Sequence, residues 1–252
     1  MAASHLQPTS FAEDRQAFDL RLGSQDWPRV EAELDRDGVA VLPTLLAPGE
    51  CSSVAAFYDA SHADMFRSRV VMARHGFGQG EYKYFDYPLP GELPDLRAGL
   101  YGRLVATANR WQTSLGLEPL YPPLHAEYLR RCHAAGQLRP TPLLLRYGPG
   151  DYNCLHQDLY GTMAFPLQVV VLLSAPGVAF EGGELVLTEQ RPRMQSRPMV
   201  VPLRQGDAAV FAVSHRPVRG SRGWYRVNMR HGVSRIRSGT RTTLGLIFHD
   251  AA

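Results

Sequence analysis

From Pro142 to Phe248 the chain reads as short apolar runs separated by turn signals, and this rhythm limits the possible folds more than any other feature. Runs at Leu143 to Tyr147, Leu167 to Leu173, Glu184 to Leu187, Met199 to Pro202, Ala208 to Val213, Arg226 to Arg230 and Thr242 to Phe248 predict about seven strands. Between them lie Gly148-Pro149-Gly150, Glu181-Gly182-Gly183, Gln205-Gly206-Asp207, Gly220 to Gly223 and Ser238-Gly239, whose glycines and prolines supply the dihedrals of tight turns. Many short strands at this spacing predict a sandwich or jelly-roll barrel, which encloses a cavity between two sheets.

The first half follows another period. Residues 1–25 read as a loose tail with a short helix near Phe11 to Leu22. Asp26-Trp27-Pro28 is a helix start, and the helix Arg29 to Arg36 ends at Asp37-Gly38 before a strand, Val39 to Leu42. A helix follows over Glu50 to Ala60, then strands at Arg69 to Ala73 and Glu81 to Tyr87. Pro94 to Leu115 is a long amphipathic helix with Leu96, Leu100, Leu104, Val105, Ala108 and Trp111 at helical spacing, and Leu124 to Ala135 is another. With 252 residues and 44% hydrophobic content, one large core is expected. The reading is mainly β with flanking helices: residues 1–139 form an α/β support region packed on a core of residues 140–252, in one structural domain.

Cys51, Cys132 and Cys154 are odd in number and lack metal-type spacing, which suits a reducing setting. The N-terminus has no apolar signal core, and the longest aliphatic run, Val169 to Leu173, is too short to span a bilayer. A cytoplasmic protein is expected.

The net charge of +3 hides a segregation. Between Arg191 and Arg241 there are twelve Arg and one acid, Asp207, which is +11, so the rest of the chain carries −8. Of the 27 basic residues only Lys83 is not Arg. A GC-rich coding sequence accounts for high Arg usage but not for its concentration in one region. A basic face fits a polyanion, because guanidinium groups make paired contacts to phosphate. Single-stranded or damaged DNA is the partner this suggests, against a merely solvated face.

Within Leu143 to Asp158, His156-Gln157-Asp158 places an imidazole and a carboxylate on one side of an extended segment, since residues two apart share a strand face. A His-x-carboxylate pair with a distant second His is the ligand set of non-heme Fe(II) oxygenases, which leaves coordination positions open. A second such pair, His62-Ala63-Asp64, sits in a stretch of helix-forming composition and reads as a surface pair. The glycine-rich, aromatic segment Arg74 to Phe85, RHGFGQGEYKYF, is either a structural hairpin loop or a mobile cover over a site. In the second case Tyr82, Tyr84, Phe85 and Arg74 are candidates to meet a substrate.

Taken together, Tyr147-Gly-Pro-Gly150 leading to His156-x-Asp158, Glu181-Gly-Gly-Glu184-Leu, Gly206-Asp207-Ala-Ala-Val-Phe211, and His231 followed by Gly239-Thr-Arg241 resemble the successive motifs of Fe(II)/2-oxoglutarate-dependent dioxygenases. The likeness is to the prolyl-hydroxylase-like branch and to a bacterial group inferred to act on alkylated DNA. It implies a double-stranded β-helix core, Fe(II) held by His156, Asp158 and His231, and turnover of 2-oxoglutarate and O₂. It also implies that Arg241 anchors the distal carboxylate of 2-oxoglutarate, with Thr243, Tyr147 and Asn153 assisting. His215 is the rival third ligand; His231 is preferred because an apolar strand follows Arg241 directly. His249 is expected to be exposed, and Cys154 to serve packing.

The activity so implied is oxidative dealkylation of damaged nucleic acid, a DNA-repair reaction. The resemblance also implies an alternative, a protein or peptide hydroxylase, because the ten-residue spacing from His231 to Arg241 is similar to that branch and the second arginine of alkylation-repair relatives is missing after Arg241. A third alternative is a jelly-roll binding protein without activity.

Overall fold

A computed structural model describes residues 11–118 and 121–252, so the start of the expected tail, residues 1–10, lies outside the described residues. In chain order the elements are α1 (Phe11–Gly23), α2 (Trp27–Asp37), β1 (Val39–Leu42), α3 (Pro48–Ala56), β2 (Phe66–Val71), β3 (Gly78–Gln79), β4 (Glu81–Phe85), α4 (Leu93–Ser114) and α5 (His125–Ala134). They continue as β5 (Leu143–Tyr147), β6 (Tyr152–His156), β7 (Leu167–Leu172), β8 (Phe180–Gly182), β9 (Leu185–Gln190), β10 (Arg197–Val201), β11 (Ala208–Ala212), β12 (His215–Gly220), β13 (Gly223–Val233), β14 (Ile236–Gly239) and β15 (Arg241–Ile247).

Two sheets make the core. One runs β1-β11-β7-β15-β5-β4-β2 and the other β10-β9-β13-β6-β3, with β12 added to β13. Neighbours such as β15 and β5 lie far apart in the chain, so the sequence order of strands alternates between the two layers in jelly-roll fashion. Strands from the first half extend the larger sheet at both edges: β1 pairs with β11 and β4 with β5. The 7 residues of β15 are all buried, as a central strand covered on both faces must be.

The helices form where the sequence places caps and apolar stripes. Asp26 accepts a hydrogen bond from the Arg29 amide at 3.1 Å, satisfying an orphan donor at the start of α2. Gly38 closes that helix at φ 74°, a left-handed geometry a side chain would strain. The α4 stripe Leu96, Leu100, Leu104, Val105, Ala108 and Trp111 is buried as its spacing requires, and burial of each large side chain contributes about 1.5–3 kcal/mol. Arg97 also enters the core from α4. Its guanidinium donates to Asp250 at 2.8 Å and to the Ile247 carbonyl at 2.8 Å, tying the end of the chain to the helix.

Turn motifs have visible duties. Asp207 accepts from the amides of Thr44 at 2.8 Å and Arg204 at 2.9 Å, locking the entry to β11. Gly183, at φ 64°, lies so close to Arg241 that an added Cβ would sit 2.8 Å from its Cδ. The Glu-Gly-Gly-Glu turn therefore fixes the stem of that arginine.

Candidate metal centre

Hydrogen-bonded pairing of β13 with β6 sets His231 opposite His156. Their rings stand 4.2 Å apart at 49°, and Asp158, two residues past the end of β6, completes the cluster. One ligand atom from each of the three lies within 4.8 Å of the others. His156 Nε2 is 3.5 Å from Asp158 Oδ1, and His231 Nε2 is 3.2 Å from Asp158 Oδ2. Two imidazoles and one hard carboxylate converging on a point fit Fe(II) with positions left open.

The surroundings orient each member of the cluster. His156 Nδ1 is 2.8 Å from the Cys154 carbonyl oxygen, which leaves Nε2 for the cluster. His231 packs on Phe211 at 4.7 Å, with the Gln168 amide nitrogen 3.0 Å from its Nε2. The Tyr160 hydroxyl donates to Asp158 Oδ1 at 2.6 Å and accepts from the Tyr84 hydroxyl at 3.1 Å, so the chain of donors ends on the carboxylate. Burial disfavours charge on Asp158, but hydrogen bonds from His156 and His231 outweigh it and hold its pKa well below the carboxylate range. For His156, burial opposes protonation and the hydrogen bond and attraction of Asp158 overcome it, raising its pKa. His231 is shifted the other way, first by burial and then by the neighbouring imidazole.

A cavity of about 380 Å³ runs from the cluster to Arg241. That arginine is 1% exposed, yet its Nε and Nη1 have no hydrogen-bond partner. Burial lowers its pKa to about 10, which leaves it cationic at neutral pH. A buried cation with free N–H groups calls for an anion of matching shape, and a carboxylate supplies one. Tyr147 faces Arg241 across the β15–β5 pair, with the guanidinium 5.7 Å from the phenol ring, and the Asn153 amide donates to the Tyr147 hydroxyl at 3.4 Å. Thr243 lines the same cavity.

The family model described as "Oxygenase, catalysing oxidative methylation of damaged DNA" matches residues 80–251, which include the three-residue cluster and Arg241. The chain belongs to this oxygenase family. An uncharacterized protein of Mycobacterium tuberculosis is 51% identical over 168 residues, which cover 67% of this chain and 72% of that protein. Among solved structures, a Pseudomonas putida prolyl-4-hydroxylase superposes with a TM-score of 0.53 at 16% identity, covering 90% of this chain and 100% of that one. An oxidoreductase of the 2OG-Fe(II) oxygenase family from Burkholderia pseudomallei gives 0.53 at 18% identity, covering 91% and 94%. These likenesses establish the double-stranded β-helix fold. The family makes the chain an oxygenase, and the three-residue cluster and the buried arginine fit Fe(II) and a carboxylate co-substrate.

Within this oxygenase the other expectations divide. Tyr82 lines the cavity, and Tyr84 stands behind it, edge-on to Tyr82 at 5.3 Å and with its hydroxyl on Tyr160. Phe85 does not face the cavity: it is fully buried and stacked on Phe66 at 4.6 Å, because β4 turns that side into the core. Arg74 is exposed outside the cavity wall, while Phe77, three residues on, lines the cavity and stacks on His75 at 5.3 Å. The Gly-Phe-Gly sequence was the available signal for Phe77, since glycines on both sides let one large apolar residue turn outward. Cys154 is exposed at the cavity and not packed, and His249 is buried and not exposed, accepting from the Phe165 amide at 3.2 Å. His215 lies on β12 beside Ser214, 2.9 Å from its hydroxyl, outside the cluster. His62 packs its ring on Phe57 at 5.7 Å, far from any metal role. Gln168 and Tyr160 went unanticipated, because only the folded register brings them to the ligands.

Proposed function

We propose that His156, Asp158 and His231 hold Fe(II), that Arg241 with Tyr147, Thr243 and Asn153 binds 2-oxoglutarate, and that the reaction is oxidative dealkylation of a damaged nucleic-acid base. One observation carries the reading: the unpartnered, buried guanidinium of Arg241 opens into the same cavity as the three-residue cluster. In the bound state, Fe(II) supplies O₂ chemistry in which 2-oxoglutarate becomes succinate and CO₂ while a substrate carbon gains a hydroxyl. On an N-methyl group that hydroxylation yields a hemiaminal, which breaks down to formaldehyde and the restored base.

The protein's own residues set the conditions for it. Tyr160 donates to Asp158 Oδ1 and holds the carboxylate in place, with Oδ2 3.2 Å from His231 Nε2. Arg241 and Tyr147 orient the co-substrate from the far end, and the apolar walls at Leu143, Val169 and Leu246 exclude water. Phe77 and Tyr82 flank the opening where a base withdrawn from its stack enters. Residues 140–252 act as the catalytic core and residues 1–139 as its support, in a cytoplasmic setting that suits three free cysteines.

DNA as partner is supported by the family description and by the arginine-rich stretch 191–241. The test is formaldehyde release, equal in amount to succinate, from a methylated single-stranded oligonucleotide. A gain of one oxygen on a peptide, with no formaldehyde from the oligonucleotide, supports the peptide-hydroxylase alternative instead.

A further inference from the structure

The twelve arginines between Arg191 and Arg241 do not behave alike. Arg191, Arg197 and Arg216 gather around Glu189, Arg237 approaches Glu184, and Arg241 belongs to the cavity. Four of the others, Arg219, Arg222, Arg226 and Arg230, lie on the β12–β13 hairpin, exposed and with no carboxylate within 4.0 Å among the described residues. No Asp or Glu occurs between Asp207 and Asp250 to neutralise them.

Register places three of these on one face. Arg219 pairs with Trp224 across the hairpin, and side chains alternate along β13, so Arg219, Trp224, Arg226 and Arg230 project together. Trp224 is 48% exposed, with the Arg219 guanidinium 5.9 Å from its ring centroid. The opposite face is anchored by the buried ion pair of Arg216 with Glu189 and by the Arg216 bond to the Asp35 carbonyl at 2.8 Å. The hairpin is therefore a fixed element.

Its position relates it to the metal centre along the strand and not across it, because Arg226 and Arg230 share the outer face of β13 and His231 the inner one. β13 runs antiparallel to β6, so moving back from His231 toward Gly223 follows the direction in which β6 leads to Asp158. β9 ends at Gln190, opposite Asn228, and residues 223–227 pair with β12 alone. The hairpin thus overhangs the end of the barrel where Asp158 sits, and seven residues of strand carry Trp224 roughly 23 Å beyond His231.

We infer that this hairpin is an arm for single-stranded nucleic acid, with phosphates on Arg219, Arg226 and Arg230 and one base stacked on Trp224. The inference rests on the nucleic-acid reading above. Uncompensated guanidinium groups beside an exposed indole match the pairing of backbone charge and base stacking by which single strands are held. An exposed row of this kind on a solvated surface without a ligand would keep the charges but gains nothing from the tryptophan.

The experiment compares binding of a fluorescein-labelled single-stranded oligonucleotide by the unaltered protein and by three variants, over a range of salt. Arg226→Gln/Arg230→Gln should weaken binding and reduce the slope of log affinity against log salt by about 1.4, the loss of two phosphate contacts. Trp224→Ala should weaken binding roughly tenfold and leave the slope unchanged. Arg204→Gln/Arg235→Gln removes the same charge from exposed arginines at the other end of the barrel and should leave binding as it was. Thermal unfolding and 2-oxoglutarate affinity, equal in all four proteins, show that the fold is intact. Equal loss in both arginine pairs, or none in the hairpin variants, overturns the arm while leaving the nucleic-acid reading in place. No binding by the unaltered protein, and no formaldehyde from a methylated oligonucleotide, overturns both.

Discussion

His156 and His231 are cross-strand partners, 75 residues apart in the chain and 4.2 Å apart at their ring centroids. This pairing turns a common local motif, His-x-Asp, into a three-donor cluster, and the remaining consequences depend on which groups stand around it.

Arg241 is the group whose change should separate co-substrate from metal. Replacing it with Gln removes the buried cation facing the cavity, and loss of one partner from a buried charge pair costs about 2–5 kcal/mol. The dissociation constant for 2-oxoglutarate should rise by about a hundredfold or more, while Mn(II) or Co(II) affinity changes little. Calorimetric titration of each ligand in turn checks both halves of the expectation.

Tyr160→Phe removes the donor to Asp158 Oδ1 and keeps the ring. Metal affinity should fall about tenfold, the usual scale for a partner that orients a ligand, with an unchanged far-ultraviolet spectrum. Tyr84→Phe, one bond further away, should have a smaller effect. Competition with a metallochromic chelator measures both.

The Arg97–Asp250 pair, 1% and 0% exposed, predicts a stability defect remote from the chemistry. Arg97→Met leaves Asp250 buried with His133 and Tyr87 as its remaining side-chain partners. Denaturant unfolding should show a loss of about 3–5 kcal/mol, because an uncompensated charge stays inside.

His125 and His249 predict acid sensitivity. Burial, reinforced by the Arg97 charge, lowers each pKa from 6.5 to about 4. The unfolded chain therefore takes up these protons first, and the folded state loses ground as pH falls. Their contribution is complete above about pH 6.5 and is lost between there and about pH 4, on the order of 2–3 kcal/mol each. Denaturation midpoints of the metal-free protein at pH 7 and pH 5 should show the fall.

Much of this was legible in the chain because local rules and the fold agree. Val39 to Leu42 and Leu143 to Tyr147 are strands with the bounds their apolar runs suggest, and the α4 stripe is buried where its period puts it. The strand β6 was not legible as a run: its residues are mostly exposed or half-buried, so no alternation marks it. The hairpin β12–β13 was seen only as Arg226 to Arg230, because its exposed arginines and buried Pro217 conceal the pairing. The three clustered side chains could be named from motif order, whereas Gln168 and Tyr160 depend on non-local register. His249 was misjudged because nearness to the terminus suggested exposure, and the Arg97–Asp250 tie instead draws that segment inward.

The most direct test of the whole account is Fe(II)-dependent conversion of 2-oxoglutarate to succinate by the unaltered protein and by His156→Ala, Asp158→Ala and His231→Ala. Succinate should form only with Fe(II) present and fall at least a hundredfold in each variant, together with the metal affinity. Unchanged succinate yield and metal content in the three variants would contradict it.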